Sequence, residues 1–234
     1  MSVTALLHRR SVFYLGALLL LTIPAFWPSY FFPKRVEADY HVHLHGIVMF
    51  LWTILLVGQA ALIRAGRREL HRAMGKTSYV LAPAVVVSTL LLMNHRLKGE
   101  IPPDLLYFLY LQAVLVAFFI FCYAQAMRHR RAAALHARYM IGTAFAIFDP
   151  IVARVLYVFF GTEPPYMQLA TFAMMDALLL ALILRERRSE SGPATGVFPA
   201  MLGILVALQI PQFVVPGQAW WAGLARWYGA LPMP

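Results

Sequence analysis

The chain carries a single cysteine, Cys122, among 234 residues, which excludes a disulfide framework and a cysteine-built zinc knuckle. Any metal must be held by nitrogen, oxygen or methionine sulfur. Charge is also scarce, at 13% of residues, with 10 acidic against 20 basic side chains. No phosphate-binding glycine loop, no HExxH helix and no Ser-His-Asp order occurs, so the usual soluble-enzyme chemistries have nothing to act through. No segment between the apolar runs is long enough to fold as a soluble domain of its own.

What is present is apolar surface. Hydrophobic residues make up 61% of the chain and the mean hydropathy is +0.68, more than one soluble core of this size can hide. The composition predicts an all-α, polytopic transmembrane helix bundle. Seven runs approach the roughly 20 residues a hydrocarbon core demands: Ser11–Phe32, Tyr40–Ile63, Thr77–His95, Leu105–Met127, His136–Phe160, Tyr166–Leu184 and Val197–Val215. The first follows a basic start in the order of a signal peptide, but it ends in bulky Trp27, Tyr30 and Phe31 with no small-residue cleavage site, so it reads as a retained span. The last is interrupted by Pro199, Gln209, Pro211 and Gln212. Ser189–Gly196 is the one flexible-looking linker. The organisation expected is therefore a six-span bundle over residues 1–188, then a linker, a weakly attached seventh span and an aromatic interfacial tail over 189–234, carrying Trp220, Trp221, Trp227 and Tyr228.

Basic residues fall unequally on alternate connections. Fourteen Lys and Arg lie on the side of the N-terminus and five, Lys34, Arg35, Arg96, Lys98 and Arg226, on the other, which places the N-terminus in the cytoplasm. The net charge of +10 is thus a topology signal and not a nucleic-acid footprint; the bilayer is the partner it implies.

An internal similarity recurs. Gln59, a basic stretch, Leu70-His71-Arg72, Met74 and Gly75 close one hairpin; Gln125, a basic stretch, Leu135-His136, Arg138, Met140 and Gly142 close another, and a proline follows each, Pro83 and Pro150. A duplicated helical hairpin and a coincidence of basic loops both account for this order.

The histidines are the most informative polar groups. With this topology His41, His45 and His95 lie at the outer ends of the second and third spans, whereas His71 and His136 lie at inner helix starts. His41 and His45, one turn apart, share a helix face, and His43 points elsewhere. Three imidazoles at one depth can hold zinc, copper or iron with a position left open, or ligate a haem; they can equally cap helix ends near headgroups. His71 and His136 are candidates for an inner cofactor-binding pair or for ordinary headgroup-facing histidines.

Asp149 and Asp176 fall near the middle of spans five and six, with Arg154 outward of Asp149. Each would cost roughly 2.5–3.5 kcal/mol if exposed at the bilayer centre, so they must face the bundle. Gly142, Ala146 and Ala153 on the Asp149 face permit close helix approach. A proton relay, a carboxylate orienting a ligating histidine, and an Asp–Arg pair holding helices together all remain open.

The segments His45-Gly-Ile-Val-Met49-Phe-Leu-Trp52, Leu70-His71-Arg72-Ala-Met-Gly75 and Leu135-His136-Ala-Arg138-Tyr-Met140, with Asp149-Pro150 through Arg154, resemble an uncharacterised family of bacterial multi-pass membrane proteins, over roughly residues 40–160. The resemblance implies a bacterial cytoplasmic (inner) membrane location and brings no activity with it. The chain is more weakly similar to b-type transmembrane cytochromes of the ascorbate-reducing kind, although those place histidines on four successive helices and span four here has none, and to haem-copper oxidase assembly factors. The leading expectation is a membrane protein that binds haem b or a transition metal (Zn, Cu or Fe) through His41, His45 and His95, for electron transfer or metal and haem handling, with a quinone or redox protein as partner. The alternatives are a membrane-embedded metalloenzyme acting on a lipid-like substrate, and a transporter or structural subunit using Asp149, Arg154 and Asp176.

Overall fold

A computed structural model of the chain describes residues 3–32, 39–188 and 196–234. Lys34 and Arg35, and residues 189–195 of the expected linker, lie outside them. All regular structure in the described residues is helical, as the absence of water in a hydrocarbon core requires of any lipid-facing backbone other than a closed barrel. In chain order the helices are α1 (Val3–Phe26), α2 (Tyr40–Arg64), α3 (Arg68–Gly75), α4 (Ser78–Arg96), α5 (Pro103–Arg128), α6 (Ala133–Phe160), α7 (Tyr166–Arg187), α8 (Val197–Gln209) and α9 (Ala219–Gly229).

Among the described residues seven segments are long and apolar enough to cross a membrane: Arg9–Phe26, α2, α4, α5, α6, α7 and Val197–Gly217. The first ends earlier than hydropathy suggests, because Trp27–Phe31, which contains Pro28, winds as a single π-turn. The last does not stop at Pro211. It tightens into short 3₁₀ turns over Ile210–Phe213 and Val215–Gly217, where a residue without an N–H costs least. Far from hanging loosely, α8 buries Val197, Phe198, Met201 and Leu205 in the main core.

That core centres on Trp52 of α2, fully enclosed and edge-on to Phe119 and Tyr123 of α5, with ring centroids 5.0 and 5.7 Å away. Between lipid-soluble helices the hydrophobic effect contributes little, so contact area and small residues carry the packing. Gly142 of α6 shows this: a Cβ there would lie 2.6 Å from Cys122 Sγ of α5 and 2.6 Å from Met201 Cε of α8. α6 ends at Gly161, whose positive φ of 63° is the left-handed stop that glycine takes without strain.

The two hairpins that share a residue order differ where the order equates them. His71 sits on the separate short helix α3, with Arg72 exposed, whereas His136 is in the first turns of the long α6 and Arg138 is buried. Arg138 forms a buried ion pair with Glu186 of α7, its Nε donating at 2.8 Å and its second guanidinium nitrogen at 2.6 Å to the same oxygen. Arg138 counts from sequence among the connection charges.

The aromatic tail divides in two. α9 packs on α4 and α5: Trp221 is buried and donates its indole N–H to Leu106 O at 3.0 Å, and the Tyr228 hydroxyl donates to Leu90 O at 2.8 Å. Trp220 and Trp227 face outward. The closest approach is at Gly229, where a Cβ would lie 2.6 Å from the backbone oxygen of Leu97.

Candidate metal centre

Asp39 stands just before α2, with extended backbone angles, and its carbonyl accepts from Val42 N at 3.0 Å and His43 N at 3.3 Å to open the helix. Its carboxylate makes no capping bond to the helix. It turns instead to two imidazoles. Oδ2 accepts from Nδ1 of His41, in the first turn of α2, and lies 2.9 Å from Nε2 of His95, in the last turn of α4. The two rings stack at 20° with centroids 4.3 Å apart.

The C-terminal segment completes the surround. Asn94, fully buried, donates Nδ2 to Tyr228 O at 2.5 Å, and Lys98 Nζ donates to Met233 O at 3.1 Å. These contacts bring the Pro234 oxygen to 2.7 Å from His41 Nε2. Both ring nitrogens of His41 thus face oxygens, one of Asp39 and one of Pro234. The hydrogen bond from His41 holds the Asp39 carboxyl below its ordinary range, against a smaller opposing effect of burial.

The ligating atoms of Asp39, His41 and His95 all lie within 4.8 Å of one another, and among the described residues they are the one group of three such side chains so placed. Bonds of about 2.0–2.2 Å from imidazole nitrogen and carboxylate oxygen would take only small outward shifts of these atoms around one ion. Two imidazoles and a carboxylate form a donor set suited to zinc or iron, with coordination positions left over. The two rings turn their nitrogens to one oxygen, a convergence that suits a single ion.

The structure brings His41 and His95 together as topology suggested, with Asp39 as the third group. His45 is not one of them. One turn deeper in α2, its Nδ1 faces the hydroxyls of Ser88 and Thr89 on α4, each at 3.4 Å. Sharing a face by helical spacing does not suffice here, because α4 ends at this depth: His41 meets its last turn and His45 meets its flank. His43 is exposed and hydrogen-bonds the Tyr30 hydroxyl at 2.9 Å.

The inner pair also meets, with His71 and His136 edge-on at 6.4 Å between centroids. Each has one nitrogen committed locally. His136 Nδ1 donates to Ala126 O at 2.9 Å, while His71 Nδ1 accepts from the Gln59 amide at 2.5 Å, an amide whose oxygen takes the Gly75 N–H at 3.3 Å. The pair ties α3 and the start of α6 to the ends of α2 and α5. Burial lowers the His71 pKa below the usual imidazole value, against a smaller opposing hydrogen bond.

The intramembrane charges find separate partners. Asp149, fully buried, accepts from Gln168 Nε2 at 2.7 Å; Asp176 accepts from Gln209 Nε2 at 3.2 Å; the Arg154 guanidinium lies over the Phe26 ring, 4.5 Å from its centroid. Asp149 and Arg154 line one cavity and Asp176 does not, which divides the trio that the transporter reading grouped. Asp39 was missed because it borders a span and reads as a boundary, although a carboxylate two residues before a histidine is itself a chelating pattern. The glutamine partners carried no signal, since their helices, and not their spacing, bring them to the aspartates.

Comparison of the chain with protein-family profiles, with characterised proteins and with solved structures returns no match.

Proposed function

We propose that this is a multi-pass membrane protein of the bacterial inner membrane that binds one divalent transition-metal ion through Asp39, His41 and His95 at its outer face, and that it serves metal handling on that side. The convergence of three ligating side chains from the start of α2 and the end of α4 within 4.8 Å carries this reading. Positive-inside topology supports the outer placement, since the site lies at the Arg-poor ends of its helices. Zinc and iron suit the donor set better than copper in its thiolate or thioether sites. The vacant coordination positions suit exchange with a soluble carrier or a substrate. A redox partner or quinone enters only if the bound ion proves to be iron or copper.

Elemental analysis of the protein purified after growth with each metal tests the proposal. One ion per chain is expected, falling to background in His95→Ala and Asp39→Asn while insertion and helix content persist. Equal metal content in wild type and both variants, or none in the wild type after reconstitution, overturns it. A Soret band in the purified protein, lost in His71→Ala or His136→Ala, would instead favour the haem reading.

A further inference from the structure

One cavity of the bundle lies apart from the proposed metal site, and none of Asp39, His41 and His95 lines it. It has a volume of about 1110 Å³ and sits between α2, α4, α5, α6, α7 and the 3₁₀ turns after α8, in the Arg-poor half. Two arginines face it, Arg96 exposed at the end of α4 and Arg154 half-buried on α6. Its wall also holds Asp149, Gln168 and Gln212, all three fully buried.

These three share an unusual feature. Asp149 Oδ1, Gln168 Oε1 and Gln212 Oε1 are buried with no hydrogen-bond partner, and so is the Tyr107 hydroxyl on the same wall, which can donate as well as accept. The amide orientations are fixed by the other ends, because Gln168 Nε2 donates to Asp149 Oδ2 at 2.7 Å and Gln212 Nε2 donates to Tyr107 O at 3.0 Å. Three acceptors are therefore without donors in a region where an unpaired polar atom costs of the order of a lost hydrogen bond. One unsatisfied atom is unremarkable; three on one cavity wall, opposite two guanidinium groups, describe a ligand's polarity.

The complement is a molecule with an anionic group for Arg96 and Arg154 and hydrogen-bond donors for Asp149, Gln168 and Gln212. The wall at the arginine end includes Phe108, Tyr157 and Phe213, all exposed apolar rings, which suits an acyl chain leaving the phosphate toward lipid. We propose that this cavity binds a phospholipid with a primary-amine headgroup, its phosphate on Arg96 and Arg154 and its ammonium on the Asp149–Gln168–Gln212 acceptors.

The protein purified in a sugar-based detergent is titrated with dihexanoyl phosphatidylethanolamine, dihexanoyl phosphatidylcholine and inorganic phosphate, with thermal unfolding and native mass spectrometry as readouts. Saturable binding of one phosphatidylethanolamine per chain is expected. The choline analogue, whose quaternary nitrogen has no N–H, should bind about tenfold more weakly or worse, and free phosphate more weakly still. Arg96→Gln, at the exposed mouth, should weaken the ethanolamine lipid about tenfold while leaving the lipid-free unfolding temperature unchanged. Equal binding of the two lipids, free phosphate binding as tightly as lipid, an absence of saturation, or unaltered binding by Arg96→Gln each overturns the proposal. If that variant does not fold, the headgroup comparison on the wild type decides alone. Metal content in Asp39→Asn is independent of all these outcomes.

Discussion

The rings of His41 and His95 stack across the α2–α4 boundary, 4.3 Å between centroids, and turn a nitrogen each to one carboxylate oxygen of Asp39. Two imidazoles on one acceptor form a proton-bridged version of a metal site: an ion that replaced the bridging protons would find its donors nearly in place. A ligating imidazole nitrogen must be free of its proton, so metal binding competes with protons and weakens in acid. Zinc titrations by calorimetry in buffers of different ionisation enthalpy should show proton release at pH 7, and an apparent affinity that falls as pH drops below the histidine range.

Gly229 lets α9 approach the end of α4. Gly229→Ala should cost about 1–3 kcal/mol, since the clash is with the Leu97 backbone and not with a side chain that can swing away. Gly223→Ala in the same helix meets nothing within 4 Å and should be neutral or slightly stabilising. Thermal unfolding in detergent distinguishes them. A lowered unfolding temperature in both variants would place the effect elsewhere. Because α9 leads to the Pro234 contact with His41, Gly229→Ala should also expose His41.

The Arg138–Glu186 pair joins α6 to α7 out of contact with water. Glu186→Ala leaves a guanidinium buried and should destabilise by about 3–5 kcal/mol, while replacing both residues with apolar side chains of similar volume should cost much less. Denaturant unfolding of the single and double variants measures the difference. Equal losses in both would show that the pair's charge is not what matters.

His71 links α3 to Gln59, and its imidazole is held neutral by burial. The folded-state pKa lies below that of the unfolded chain, about 6.5, so the open form binds more protons in acid. The stabilisation is present above about pH 6.5 and is lost as pH falls through that value toward the folded-state one. Hydrogen exchange in residues 68–76, corrected for the intrinsic rate, should accelerate over this window in the wild type and not in His71→Gln.

The seven spans were legible because each is an apolar run near bilayer length, the last despite its proline and glutamine interruptions, and charge asymmetry gave their ends an expected order. His95 was legible as a partner of His41 for the same reason, since topology puts the end of one helix beside the start of the other. Three things were not. Asp39 precedes its span and carries no periodicity. His45 shares a helical face with His41, yet what a face meets depends on where the neighbour ends: α4 ends at the depth of His41, which meets its last turn, while His45 meets its flank. Arg138 reads as a cytoplasmic charge because sequence counts charge and cannot see two helix ends closing over it. The approach of Pro234 to His41 rests on the docking of α9 through Trp221, Tyr228 and Gly229, long-range packing with no local pattern.

X-ray absorption at the zinc edge, on the wild type loaded with one equivalent of zinc, tests the central claim most directly. The account predicts a nitrogen and oxygen shell at about 2.0–2.2 Å with two imidazole scatterers and no sulfur, and loss of one imidazole contribution in His95→Ala. A sulfur scatterer near 2.3 Å, an all-water shell, or a spectrum unchanged by His95→Ala would contradict it.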